Sequence, residues 1–294
     1  MPGLTQAPGS VSQGDAYMTV GESRRMAEAR ISRTNSTAGR LFAFDVCSDT
    51  NILSEGEIHV WQLDLRNGEW DGFSSVLSRD EHEKTNRFRY ARLRENFSRM
   101  RIGVRLILSR YLDASADRIQ FSYTEAGKPS MAGSRVFFNV SHSNDIGLIA
   151  VALCPVGVDV ELITDLKSEG TGIVAMVCHE TERTELDMLS TVERCRLFYQ
   201  LWTRKEAFCK AVGIGLQYAI ADLFFQKQGL PLLYQVCDTR YGRLPYYVHD
   251  LACPLGYAGS VCAPFRPAAI RLFDGSLRAG SEDGSANLKE GGNF

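Results

Sequence analysis

The sequence predicts an α+β protein built as two halves of similar size, each with its own strands and helices. Two observations carry that expectation. Strand-like apolar runs at 57–65, 137–162 and 222–265 are separated by two stretches, 78–112 and 179–212, whose apolar residues recur at helical spacing. The resulting order is strand, helices, strands, then helices and strands again. A third observation bounds the body. Both ends are polar and rich in Gly and Ser, so the folded chain is expected near 56–266, between a disordered extension (1–55) and a disordered tail (267–294). The two halves are expected at 56–154 and 155–266.

The elements follow in order. "EIHVWQLDL" (57–65) alternates apolar and polar residues and reads as a strand. Residues 78–112 open on a helix-start signal at Ser78 and read as two helices. "IQFSYTEAGKPSM" gives a short strand and a Gly–Pro turn. "VFFNVSHSNDIGLIAVALCPVGVDVELI" holds two or three strands broken by polar turns. Residues 179–189 and 191–212 read as helices, the second closed by Gly213 and Gly215. "DLFFQKQGLPLLYQVC", "LPYYVHDLAC" and "GYAGSVCAPF" read as strands around turns.

Composition excludes several function classes. The 294 residues are 44% hydrophobic and 23% charged, as in a globular protein, and no apolar run reaches the length of a membrane span. A net charge of −2 argues against bulk attraction to nucleic acid or a membrane surface. The eight cysteines include no CxxC pair, which argues against a zinc site or disulfide framework and for reduced thiols in the cytoplasm. Residues 24–40 have some Arg and Ser but little apolar face, and read as unstructured extension rather than a transit peptide.

The chemistry-bearing candidates begin with "GVDVE" (157–161). Strand alternation points Asp159 and Glu161 the same way, where two like charges repel unless a cation or water intervenes. Taken locally, the pair reads as the solvent-facing edge of a half-buried strand. In "LFYQLWTRKEAFCKAVGIGL" (197–216), Trp202, Glu206 and Lys210 share one helix face, with Lys205 beside Glu206. That helix carries enough aromatic residues to be largely buried, so a carboxylate between two ammonium groups asks for a reason beyond solubility. "NVSHSND" (139–145) offers Ser141 and His142. A Ser–His nucleophile is disfavoured there because strand neighbours face opposite ways and no elbow glycines flank the serine. Lys128 lies in a turn, followed by Pro129. Residues 87–110 hold eight arginines and one acid, which reads as a solvated helix face before it reads as a polyanion surface. Together the three acids suit a divalent cation, and Lys128, His142, Lys205 and Lys210 suit phosphates, a combination that points to metal-assisted chemistry at a phosphate or pyrophosphate.

"GKP", "FNVSHS", "GVDVE" and "WTRKEAFCKAVGIGL", in this order and spacing, resemble the Sfp-type 4′-phosphopantetheinyl transferases over residues 57–264, and the stretch Tyr257 to Ala263 is similar to the family's final strand. The resemblance implies a monomeric pseudo-dimer of two similar α/β halves with coenzyme A at their junction. It implies transfer of the phosphopantetheine arm to a serine of an apo acyl or peptidyl carrier protein, with release of adenosine 3′,5′-bisphosphate. It implies Mg²⁺, or Mn²⁺ in its place, on Asp159, Glu161 and Glu206, with Glu206 as base and Lys205 and Asp159 as further catalytic groups. Coenzyme contacts are implied at Lys84, Lys128, Pro129, Ser141, His142, Lys205 and Lys210. Neither a nucleic-acid nor a membrane partner is implied. Two positions depart from the pattern: Asn96 stands where an arginine is expected, with Arg92 or Arg94 as the candidate substitute, and Cys178 replaces an aromatic residue ahead of Glu182. A coenzyme-binding module without catalysis is the rival reading, and the intact acid set argues against it.

Overall fold

The computed structural model describes residues 53–124, 127–166, 172–214, 219–229 and 232–275, all within the compact unit Ala43–Phe294. The expected extension up to residue 52 and the tail beyond 275 lie outside the described residues. The chain runs β1 (Glu57–Asp64), α1 (Arg79–Arg87), α2 (Ala91–Leu108), then β2 (Ser122–Tyr123), β3 (Pro129–Ser130), β4 (Phe137–Ser143), β5 (Ile146–Ala152) and β6 (Gly157–Leu162). It continues with α3 (Gly172–Val177), α4 (Glu180–Asp187), α5 (Thr191–Val212), β7 (Leu223–Lys227), β8 (Leu233–Asp238), β9 (Gly242–Asp250), β10 (Tyr257–Ala263) and β11 (Ala269–Asp274).

The α+β, two-half architecture is observed. One sheet has the order β11-β1-β5-β4 and packs against α2, while the other, β6-β10-β9-β8-β7, packs against α5. Helix starts follow local chemistry. Ser78 and Glu81 form a capping box at α1, and the backbone N–H and side chain of Ser190 bond Glu193 at α5. Gly213, at φ 84°, closes α5 in the left-handed conformation that glycine adopts without strain.

The structure differs from the sequence expectation at the end of the body. Residues 269–274, assigned to a disordered tail, form β11 and return to pair in parallel with β1 of the first half. The reason is apolar: Phe273 stacks on Trp61 at 4.5 Å between centroids, while Ile270 and Leu272 pack against the core between the sheets. That core joins Ile58, Val60, Leu148 and Ala150 of the first sheet to Val158, Val160 and Val261 of the second. Val158 and Val160 are both fully buried, worth roughly 1.5–3 kcal/mol apiece relative to exposure.

The two sheets also meet edge to edge, through side chains. On β4, Asn139 Oδ1 accepts the Val158 N–H at 2.8 Å, Ser141 Oγ the Val160 N–H at 3.4 Å, and Ser143 Oγ the Leu162 N–H at 3.0 Å. These three side chains stand in for the missing strand partner of β6, whose amides would otherwise be buried unsatisfied. Among the described residues, no helix is long and apolar enough to cross a membrane.

Candidate active site

β6 alternates as a strand must. Val158 and Val160 enter the core between the sheets, which turns Gly157, Asp159 and Glu161 toward α5. Gly157 permits the approach, since a Cβ there would stand 2.0 Å from the Ala207 carbonyl oxygen and 2.4 Å from the Ala211 nitrogen. Helix α5 is pinned from the other side by Arg204, whose guanidinium donates to both oxygens of Asp250 on β9 at 2.8 and 2.6 Å. A glycine contact and a buried ion pair therefore lower Glu206 and Lys210 onto the acid pair.

Asp159 is 2% exposed. Its Oδ1 accepts from Lys210 Nζ at 2.6 Å and from Ser141 Oγ at 2.8 Å, while its Oδ2 is buried with no hydrogen-bond partner. Burial raises the Asp159 pKa, and Lys210 and Ser141 oppose that only in part. Glu161 Oε2 accepts from Ser143 Oγ at 2.7 Å. The Glu206 pKa is raised first by burial and then by the Asp159 charge, with Glu161 adding to it and Lys210 opposing. Glu206 thus feels both acids of the strand, part of the crowding anticipated from "GVDVE" and Glu206.

The cations gather at the Asp159 end. Lys128 Nζ donates to Val156 O at 3.3 Å and to the Lys210 carbonyl oxygen, which ties its turn and the adjoining Pro129 of β3 to the second half. Burial, then Lys210, lowers the Lys128 pKa. His142 has solvent-facing surface, yet crowding around its ring, followed by the Lys210 charge, lowers its pKa too. At the Glu161 end a groove of about 340 Å³ opens, lined by Glu161, Thr164, Ile173, Phe198, Tyr199 and Trp202. A larger groove of about 840 Å³ shares Thr164 with it but holds none of the candidate residues. The acids therefore locate the site, and cavity size does not.

Several expected residues are placed otherwise. Lys205 is fully buried and points away from the acid cluster: its Nζ donates to Glu182 Oε2 at 2.6 Å and to Val177 O at 2.7 Å. A step of one residue turns a helix by about 100°, so neighbours Lys205 and Glu206 serve different neighbourhoods. Lys84 is exposed on α1 and contacts the Phe97 ring at 5.1 Å rather than the acids. Ser141, expected to supply polar contacts to the coenzyme beside His142, directs its hydroxyl to Asp159. Asn96 donates to the Asn144 carbonyl at 2.6 Å, Arg92 reaches Asn144 and Asp145, and Arg94 caps the Phe88 carbonyl. All three hold structure around the β4–β5 turn or the α1–α2 junction. Sequence reasoning missed Asn139 and Ser143, although the period-two polar pattern in "NVSHS" was the available signal. It also missed Glu182 as the partner of Lys205, for which no local signal exists.

Among the described residues, no three His, Cys, Asp or Glu side chains are already gathered closely enough to close on a metal ion. The chemistry of the donor set nonetheless fits one. Asp159 Oδ2 is an orphaned carboxylate oxygen, and the Glu206 pKa is raised by burial and then by the charges of Asp159 and Glu161. Hard divalent cations take such oxygens. Asp159, Glu161 and Glu206 are the residues that could hold one, with the Lys210 ammonium balancing Asp159 in this structure.

Residues 155–262 match the 4′-phosphopantetheinyl transferase superfamily, and residues 61–154 match the N-terminal region of 4′-phosphopantetheinyl transferases. The Sfp transferase of Bacillus subtilis is 30% identical over 205 residues, covering 68% of this chain and 87% of that protein. The HetI transferase of Nostoc is 32% identical over 175 residues, covering 56% and 72%. The chain belongs to the 4′-phosphopantetheinyl transferase superfamily. A Synechocystis relative carrying the same family name is 34% identical over 149 residues, and the chain spans 60% of its length. The solved holo-[acyl-carrier-protein] synthase of Thermotoga maritima covers 37% of this chain and 61% of its own, with 20% identity and a TM-score of 0.29, too slight a likeness to argue from. As a member of this enzyme superfamily the chain is a transferase. Asp159, Glu161, Glu206 and Lys210 fall within the superfamily match, and Lys84, Lys128, Ser141 and His142 within the N-terminal one.

Proposed function

We propose that this transferase moves the 4′-phosphopantetheine arm of coenzyme A to a serine hydroxyl of apo acyl or peptidyl carrier proteins and releases adenosine 3′,5′-bisphosphate. The observation that supports this most is Glu206, a half-buried carboxylate whose pKa is raised by burial and by the charges of Asp159 and Glu161, with the Lys210 ammonium opposing. A serine hydroxyl is a poor nucleophile near neutrality, and a carboxylate with a raised pKa is a better proton acceptor than an ordinary one. Glu206 takes the serine proton as the oxygen attacks the phosphorus that carries the pantetheine arm. The bond from that phosphorus to the bridging oxygen breaks, and its electron pair leaves with the bisphosphate. Lys210 is assigned to the leaving phosphate, with Lys128 and His142 as further phosphate contacts, and Lys84 is the candidate for the 3′-phosphate.

Mg²⁺, or Mn²⁺ in its place, would be held by Asp159, Glu161 and Glu206, and when bound it neutralises charge on the pyrophosphate oxygens. Lys205 belongs to the positioning of α5 through Glu182 rather than to phosphate contact. The carriers served are those of fatty-acid, polyketide or nonribosomal-peptide synthesis, and the protein works as a monomer in the cytoplasm.

Mass spectrometry of apo carrier proteins incubated with the protein, coenzyme A and Mg²⁺ tests the reading. The expected result is a gain of one phosphopantetheine arm on the carrier serine. Glu206→Gln lowers that rate roughly 10²-fold or more. No mass gain on any carrier class with metal present, or an undiminished rate for the variant, would refute it.

A further inference from the structure

We propose that Ser143, together with Ser141, orients the acid pair from the opposite half of the molecule, each hydroxyl fixing one carboxylate for a hard divalent cation. The inference rests on the reading of function above and assigns these serines as positioning residues.

A hydroxyl has one proton to give and two lone pairs to accept with. Ser143 Oγ accepts the Leu162 N–H at 3.0 Å, which leaves its proton aimed at Glu161 Oε2, 2.7 Å away. Ser141 repeats the arrangement one pleat earlier: its Oγ accepts from Val160 N–H and from Lys210 Nζ at 3.0 Å and donates to Asp159 Oδ1. Each serine therefore takes an amide from the residue just after its acid and gives a proton to the acid itself. The backbone bond sets the direction of the side-chain bond.

The scaffold behind Ser143 is also fixed. Asn144 sits at φ 51°, a left-handed conformation that asparagine tolerates. Its carbonyl accepts from Asn96 of α2 at 2.6 Å, and its side chain meets Arg92 and Tyr257. Helix α2 thus holds the turn that holds Ser143. The consequence for chemistry is selective. On Asp159 the seam occupies Oδ1, while Oδ2 stays buried without a partner. Groups that hold and orient metal-binding side chains commonly change metal affinity 10- to 100-fold when removed. Asn139 supplies an internal control, because it takes the Val158 amide in the same way, and the residue before that amide is Gly157 rather than an acid.

The test follows Mn²⁺ binding through loss of the free-ion electron paramagnetic resonance signal, with coenzyme A present and carrier absent. Ser143→Ala is expected to weaken Mn²⁺ binding about 10-fold. Ser143→Thr, which keeps the hydroxyl on a strand that accepts β-branching, is expected to restore it to within about twofold. Asn139→Ala is expected to lower the melting temperature without changing Mn²⁺ affinity. Equal Mn²⁺ affinity in Ser143→Ala and wild type overturns the proposal, as does an equal loss in Asn139→Ala, which would mean that the seam alone matters. A wild type that transfers the arm but binds no Mn²⁺ overturns it too. A wild type that transfers no arm strikes the reading of function instead, while an Ala–Thr difference in Mn²⁺ affinity would still support the serine assignment.

Discussion

Glu81 in the first half and Asp159 in the second are both buried carboxylates held by cations. Glu81 is answered on every side: Arg101 meets Oε1 at 2.5 Å, Arg105 meets Oε2 at 2.6 Å, and the Ser78 N–H adds a bond at 2.9 Å. Arg105 goes on to the carbonyls of Ala116 and Ile119, and both arginines lie over the Phe121 ring. Asp159 has a lysine and a serine on one oxygen and nothing on the other. The pKa shifts run in opposite directions for that reason. Burial pushes Glu81 up, yet Arg101, the Ser78 amide and Arg105 outweigh it and leave it below the usual range, whereas Asp159 stays above it. A closed network is a clamp, and one left open on one side has the form of a site.

The largest test of that contrast is Glu81→Gln. Removing one partner from a buried pair leaves uncompensated charge, here on two arginines, and costs about 3–5 kcal/mol. Denaturant unfolding should show that loss. A change under about 1 kcal/mol would mean that the cluster is not a clamp, since only exposed pairs are worth so little. Lys205 and Glu182 lie between the two extremes. The pair is buried at 2.6 Å, but Glu182 Oε1 has no partner. Lys205→Met should cost about 3 kcal/mol, the low end of the range, because Glu182 keeps the His179 N–H at 2.8 Å. Adding Glu182→Gln should return a large part of it, because neighbours in one network are not additive. If the double variant is worse than the sum of the singles, the pair is not acting as a positioning brace for α5.

The sequence was most readable where pattern is local. Residues 191–212 were expected as a helix and form one, and period-two alternation put Asp159 and Glu161 on one face. Three things escaped it, each for a physical reason. β11 pairs with a strand some 210 residues away, and the Gly/Ser-rich run that follows disguises six residues of alternating strand. Lys205 and Glu206 are adjacent in sequence and about 100° apart on the helix, so adjacency misled. The seam on β6 depends on Asn139, Ser141 and Ser143 replacing backbone acceptors, a role that residue type alone does not announce.

The smallest predicted effect bears most directly on the open side of the comparison. Glu206 is held above its ordinary pKa by burial and by the charges of Asp159 and Glu161. It therefore binds a proton more tightly folded than unfolded. At neutral pH its charge opposes folding, and the penalty fades as pH falls through the raised value toward 4.5, the reverse of what holds for Glu81. Glu81 stabilises above 4.5 and loses that contribution as pH drops through its lowered value. Glu206→Gln should accordingly raise the melting temperature of the metal-free protein at pH 7, on the order of 2 °C, while abolishing most activity. The gain should shrink as pH is lowered toward 4.5, because the wild-type carboxylate protonates there and ceases to be penalised. Scanning calorimetry at several pH values separates the cases. A variant less stable than wild type at pH 7, or a gain that grows toward acid, would mean that burial and the neighbouring acids do not penalise the Glu206 charge.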